Sequence, residues 1–157
     1  MGTNRTVLAL LLAALAMLGP FSIDTYMPSF PEIGRTFGAS AFELQFTISA
    51  FLATFSVMSL FHGALADSFG RRPVILFDLG IFVVASAGCA LAAAFNHLLW
   101  CRALQGLAGG AGLIVGRAMI RDSFAGDEAQ RMMSTVTMIF GVAPAIAPVI
   151  GGWLQAW

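Results

Sequence analysis

The sequence predicts an all-α membrane protein that crosses a bilayer five times, and two observations carry the prediction. Of its 157 residues, 59% are hydrophobic and 10% charged, and the mean hydropathy is +0.86, which is more apolar surface than a soluble fold can hide. The apolar residues also gather into five runs of roughly 20, the length a helix needs to cross about 30 Å of hydrocarbon.

The first run is Val7–Met27, followed by Pro28 and Pro31. Arg5 before an Ala-rich stretch has the look of a signal peptide, but four further runs make a spanning helix the better reading. The second, Leu44–Leu65, is preceded by Ser40 as a candidate cap. The third, Val74–Phe95, opens just after Pro73, which needs no N–H donor at a helix start. The fourth is Leu98–Ile120, and the fifth is Met132–Trp157 with Asp127 and Glu128 before it. Placing the N-terminus in the cytoplasm puts Arg5, Arg71, Arg72, Arg121 and Arg131 inside and leaves Arg35 outside, the asymmetry that the positive-inside rule requires.

Composition also excludes several functions. Eight arginines balance eight acidic residues, so there is no basic footprint for nucleic acid. Cys89 and Cys101 lie in apolar runs without metal-ligand spacing and read as packing residues. There is no Ser–His–acid set, metal cluster or phosphate-cradling glycine loop, so an enzyme would lack visible residues for its chemistry. No cofactor is expected beyond a proton gradient as energy source.

The most polar interruption is "FHGALADSFGRRPVILF", residues 61–77. A tight turn accounts for Gly70, Pro73 and the arginines Arg71 and Arg72. It does not account for Gly63 within the helix or for Asp67 near its C-terminus, where a negative charge requires a partner. The segment "GALADSFGRRP" resembles the signature between the second and third helices of the major facilitator superfamily. "RALQGLAGGAG", from Arg102 to Gly112, and "GVAPAIAPVIGG", from Gly141 to Gly152, are similar to the fourth- and fifth-helix motifs of its drug:proton antiporters, although Ala147 stands where many members have glycine. "GPFSIDTYMPSFPEI", from Gly19 to Ile33, resembles the end of the first helix in the Bcr/CflA-type multidrug group.

The resemblance implies five helices of a twelve-helix fold, a partial N-terminal bundle over residues 1–157 whose C-terminal helices lie outside this chain. It implies a proton-coupled antiporter that exports small amphipathic drugs across the inner membrane. It further implies a conformational latch: Gly63 admits a helix from the other half of the transporter, Asp67 faces that helix's N-terminus, Arg71 joins a charge relay with Asp122 of the fourth helix as its partner, and Gly70 and Arg72 complete the turn. A nutrient or sugar symporter of the same superfamily, or a truncated scaffold without transport activity, stand as alternatives.

Among intramembrane polar residues, Asp24 is the first candidate for proton or cationic-substrate coupling, because an aspartate inside a span costs ~2.5–3.5 kcal/mol on insertion scales and needs a cavity or a partner. It also reads as an interfacial aspartate capping the loop before Pro28. Arg102 sits at a matching depth and would tune it, or would snorkel to the interface. Gln105, three residues beyond Arg102, and Tyr26 near Asp24 are cavity candidates, with helix-pair bonding and the aromatic belt as their plainer readings. Phe21, Phe46, Phe55 and Met138 are apolar groups suited to loose recognition. Asp78 reads as a structural carboxylate at a helix N-terminus and His62 as interfacial. Gly106 with Gly110 forms a small-xxx-small packing pair, and Pro144, Pro148, Gly151 and Gly152 make the fifth helix a kinked, closely packed one.

Overall fold

A computed structural model describes residues 5–156, and all regular structure among them is helical. The first span is α1 (Arg5–Tyr26), continued through a short 3₁₀ turn into α2 (Phe30–Phe37). The second span is α3 (Ala41–Phe69) and the third is α4 (Arg71–Ala90). The fourth is made of two pieces, α5 (Phe95–Gly109) and α6 (Ala111–Ser123), and the fifth is α7 (Gly126–Gln155). Five stretches are long and apolar enough to cross a membrane, and the chain is a multi-pass membrane protein.

Local chemistry explains the element ends. Ser40 and Glu43 form a reciprocal capping box that starts α3, with the Ser40 N–H 2.8 Å from Glu43 Oε2. Gly38 ends α2 at φ +62°, a left-handed conformation that costs glycine little. Gly70, at φ +94°, is the whole connection between α3 and α4. Helix α4 therefore begins at Arg71, and Pro73 sits in its first turn, where the missing N–H has no partner to lose.

The apolar runs and the helices differ in informative ways. The third helix ends at Ala90, and a turn precedes Phe95. Leu91 to Ala94 are as apolar as the helix before them, so hydropathy cannot register the stop. The fifth helix starts at Gly126, with Asp127 and Glu128 in its first turn, where carboxylates suit the helix dipole. It runs unbroken through Pro144 and Pro148. Trp157, the expected end of the fifth span, lies outside the described residues.

The fourth span is the hub. Of its most apolar stretch 56% is buried inside the protein, against 17–28% for the other four spans. In lipid no hydrophobic gain favours one helix neighbour over acyl chains, so association rests on close packing and small residues. Gly106 lies against the Phe51 carbonyl of α3, and Gly112 against the Leu15 carbonyl of α1. Gly109 faces Gly19 across the same seam, and the Thr54 hydroxyl donates to the Ala103 carbonyl at 2.8 Å. Gly151 of α7 abuts the Thr25 carbonyl of α1 in the same manner. An apolar cluster of Ala9, Leu12, Ala13, Ile120, Met132 and Val136 joins α1, α6 and α7. A smaller one, Ala66, Val74 and Val115, joins α3, α4 and α6.

These seams give a graded expectation. Gly112→Val drives a side chain into the Leu15 backbone and should destabilise the chain by ~1–3 kcal/mol, the usual range for overpacking. Gly63→Ala, where an added Cβ meets nothing within 4 Å, should leave thermal unfolding in detergent unchanged or slightly higher, since alanine is the better helix former. Equal melting of both variants would contradict the packing described.

Candidate functional site

At the end of the bundle away from Gly70, α1 finishes, α3 begins, α4 finishes and α5 begins. Four spans thus bring side chains to one level. Arg102 sits at its centre, two turns into α5 and only 3% exposed. Its Nη1 donates to Ser22 Oγ at 3.1 Å and to Gln105 Oε1 at 2.7 Å, and Nη2 reaches the Ser22 carbonyl at 3.5 Å. The guanidinium lies 3.7 Å over the Tyr26 ring and 5.6 Å from the Phe51 ring. Arg102 Nε has no hydrogen-bond partner among the described residues.

The surrounding groups are fixed in turn. Gln105 Nε2 donates to Ser86 Oγ at 2.7 Å, and that hydroxyl donates to the Phe82 carbonyl. Thr47 commits its proton to the Leu44 carbonyl at 2.6 Å. Its oxygen, 3.1 Å from the Tyr26 hydroxyl, therefore accepts from Tyr26. Tyr26 also stands edge-on to Phe30 at 5.1 Å between centroids. The result is a chain of polar contacts through spans one to four, from Thr47 through Tyr26 and Arg102 to Gln105 and Ser86.

A buried cation normally has a carboxylate beside it. Arg102 has hydroxyls, an amide and the faces of aromatic rings, and no ion pair joins it to Asp24. The reason is azimuth rather than depth. Ser22 and Tyr26 are four residues apart and share the α1 face toward Arg102, whereas Asp24 is two residues from each and points ~200° away at 3.6 residues per turn. Asp24 instead continues the ladder Leu10, Ala14, Met17, Phe21. Leu10 and Ala14 of this ladder are exposed, and Met17, Phe21 and Asp24 are half-buried. The half-buried carboxylate thus lies on the side of the helix turned away from the arginine.

The remaining candidates are distributed as follows. Phe55 stacks on Phe51 at 6.2 Å and borders Gly19, while Phe46 and Met138 are exposed. Gly110 marks the break between α5 and α6, and Gly152 has nothing facing it. At the Gly70 end, Arg71 bridges two helices: its Nη1 is 2.8 Å from Asp67 Oδ1, and its Nε donates to Asp122 Oδ2 at 3.0 Å. The bridge ties the α3–α4 turn to the end of α6. Arg72 beside it is exposed, and the open surface at Gly63 lies two turns up α3. Ser22, Thr47, Ser86 and Phe51 were not singled out from sequence. Ser22 was accessible, because it is one helical turn from Tyr26 and so must share its face. His62 and Asp78, read separately from sequence as interfacial and helix-terminal, are buried against each other.

The chain is similar in sequence to known proteins. Residues 10–157 match the family described as Major Facilitator Superfamily. The "Uncharacterized MFS-type transporter YdgK" of Bacillus subtilis is 41% identical across 96% of this chain and 38% of its own length. The "Bicyclomycin resistance protein homolog" of Haemophilus influenzae is 37% identical across 94% of this chain and 37% of its own length. A "Multidrug resistance protein MdtL" of Klebsiella pneumoniae is 38% identical across 88% of this chain and 35% of its own length. The chain thus spans less than two fifths of the curated relatives it matches.

The contacts of Arg102 separate charge from shape. Arg102→Lys keeps the charge but loses the planar fork, whose second nitrogen reaches the Ser22 carbonyl and whose face lies over Tyr26, and should destabilise the chain by ~1–3 kcal/mol. Tyr26→Phe keeps the ring beneath the cation and loses the bond to Thr47, for ~0.5–1.5 kcal/mol. Thermal unfolding in detergent measures both, and a lysine variant as stable as the parent would show that the fork is not what holds the site.

Proposed function

The chain belongs to the major facilitator superfamily, and from that premise we propose that it forms part of a proton-coupled antiporter exporting small amphipathic drugs across the inner membrane. The observation that carries the reading is the division of charge across α1: a buried arginine with no carboxylate beside it among the described residues on one side, and half-buried Asp24 on the other side of the same helix end. Burial disfavours a charged carboxylate and a nearby cation favours it. A carboxylate whose exposure changes as the protein rocks can therefore take up a proton on one face and lose it on the other. In this reading Asp24 is the exchanging group and Arg102 tunes it. Tyr26 and Gln105 hold the arginine and border the substrate cavity.

The other features support the same mechanism. With the N-terminus in the cytoplasm, the Arg71 bridge to Asp67 and Asp122 lies at the inner surface and acts as a latch favouring the outward-open state. Gly63 then offers its uncovered surface to a helix from outside this chain, supplied by the rest of the transporter. Two of the relatives are named for bicyclomycin or multidrug resistance, which favours drugs over nutrients as substrates.

Drug-stimulated proton movement in inverted vesicles tests the reading, using the chain joined to its native downstream sequence. Asp24→Asn should reduce drug-dependent proton release to the level of vesicles lacking the transporter, with membrane abundance unchanged. Coupling equal to the parent would remove Asp24 from the mechanism.

A further inference from the structure

His62 and Asp78 stand eight residues before and eight residues after Gly70, each ~12 Å from the turn at about 1.5 Å per residue. The α3–α4 hairpin therefore brings them to one level, and their side chains meet. His62 Nε2 is 3.2 Å from Asp78 Oδ2, with the imidazole wholly buried and the carboxylate 7% exposed.

The fourth span closes over the pair with its glycine break. A Cβ at Gly110 would lie 3.1 Å from Ser59 Oγ and 3.5 Å from His62 Nδ1, so glycine there makes the room that the ring and hydroxyl occupy. Neither of those two atoms has a hydrogen-bond partner among the described residues. Toward Gly70, the layer of Ala66, Val74 and Val115, flanked by Leu65, Ile75 and Met119, separates the pair from the Arg71 bridge.

Other charges lie elsewhere. On α5, Arg102 stands near Phe51, ~16 Å further along α3 at 1.5 Å per residue. On α6, Arg117 and Arg121 are exposed. Asp122 of α6 and Asp67 of α3 are both held by Arg71. Toward α2, Glu32 and Arg35 pair with each other at the opposite end. Asp78 is the titratable group that faces His62.

With a neutral imidazole this pair carries a net negative charge in a place closed to water, which is unfavourable. One added proton makes it neutral overall, and the imidazole is ordinarily the stronger base. We infer that His62 and Asp78 form a proton-binding site, loaded in the packed state, whose deprotonation loosens the halves of the second and third spans nearest Gly70. When the proton leaves the imidazole for water on the Gly70 side, the carboxylate faces a neutral ring. Water passing the Ala66–Val74–Val115 layer then relieves the exposed charge. The site is separate from Asp24 and stands or falls independently of drug export.

Hydrogen exchange of the chain in lipid nanodiscs, corrected for the intrinsic rate at each pH, tests the inference between about pH 5 and 8. Amides of residues 63–75 should be protected at the acid end and exchange about tenfold faster at the alkaline end. Asp78→Asn, which leaves no charge to neutralise, should abolish that dependence. Nitrogen NMR of the two histidines gives a second readout: His62 should change protonation in step with the exchange, with exposed His97 as the internal reference. If Asp78→Asn does not assemble, the spectra of the parent chain decide. A His62 ring held in one neutral form throughout, or an exchange profile indifferent to pH, would overturn the inference, as would an unchanged pH dependence in Asp78→Asn.

Discussion

A guanidinium buried between membrane helices has no water to share its charge, and everything at one end of this bundle answers that constraint. Arg102 is 3% exposed and finds its compensation in Ser22, Gln105 and the face of Tyr26. Gln105 and Tyr26 are then held by Ser86 and Thr47 on two further spans. The cation therefore fixes the rotation of α1 and the position of α4 about the fourth helix, as well as itself. It also leaves the site electropositive, since hydroxyls, amide oxygens and ring faces offset a charge only in part. Asp24 lies half-buried near the same helix end, on the side of α1 turned away from the arginine.

The glycines make such burial possible. Gly106, Gly109 and Gly112 let the fourth span approach α3 and α1 backbone to backbone, which brings Arg102 deep enough to lose its water. Close packing thus creates the electrostatic cost, and the polar chain across four spans offsets it. At the opposite end the logic differs. The charges of Arg71, Asp67 and Asp122 remain partly exposed, so solvent screens this bridge and it contributes little energy.

The five spans were legible because bilayer thickness sets their length, and the turn at Gly70 because only glycine adopts its backbone freely. Helix ends were less legible where the sequence stays apolar through a break, as from Leu91 to Ala94. Depth along a helix could also be counted from the sequence, and it placed Asp24 and Arg102 at the same end. Azimuth decides which groups meet, and there the i, i+4 relation between Ser22 and Tyr26 carried the information. His62 and Asp78 show the same point: each had a plausible solitary reading, yet their equal spacing about Gly70 dictates that a helical hairpin brings them level. The Thr47 and Ser86 contacts were not legible at all, because they depend on the rotation of α3 and α4 about a centre that no single helix specifies.

The central claim is that a ring face, together with neutral hydrogen-bonding groups, holds the charge of Arg102. A double-mutant cycle with Arg102→Met and Tyr26→Leu, read as unfolding free energy of the chain in lipid nanodiscs, tests it most directly. The account predicts a coupling of about 1–2 kcal/mol between the two positions. Additive losses, with no coupling, would contradict it and leave the arginine's charge without its principal support.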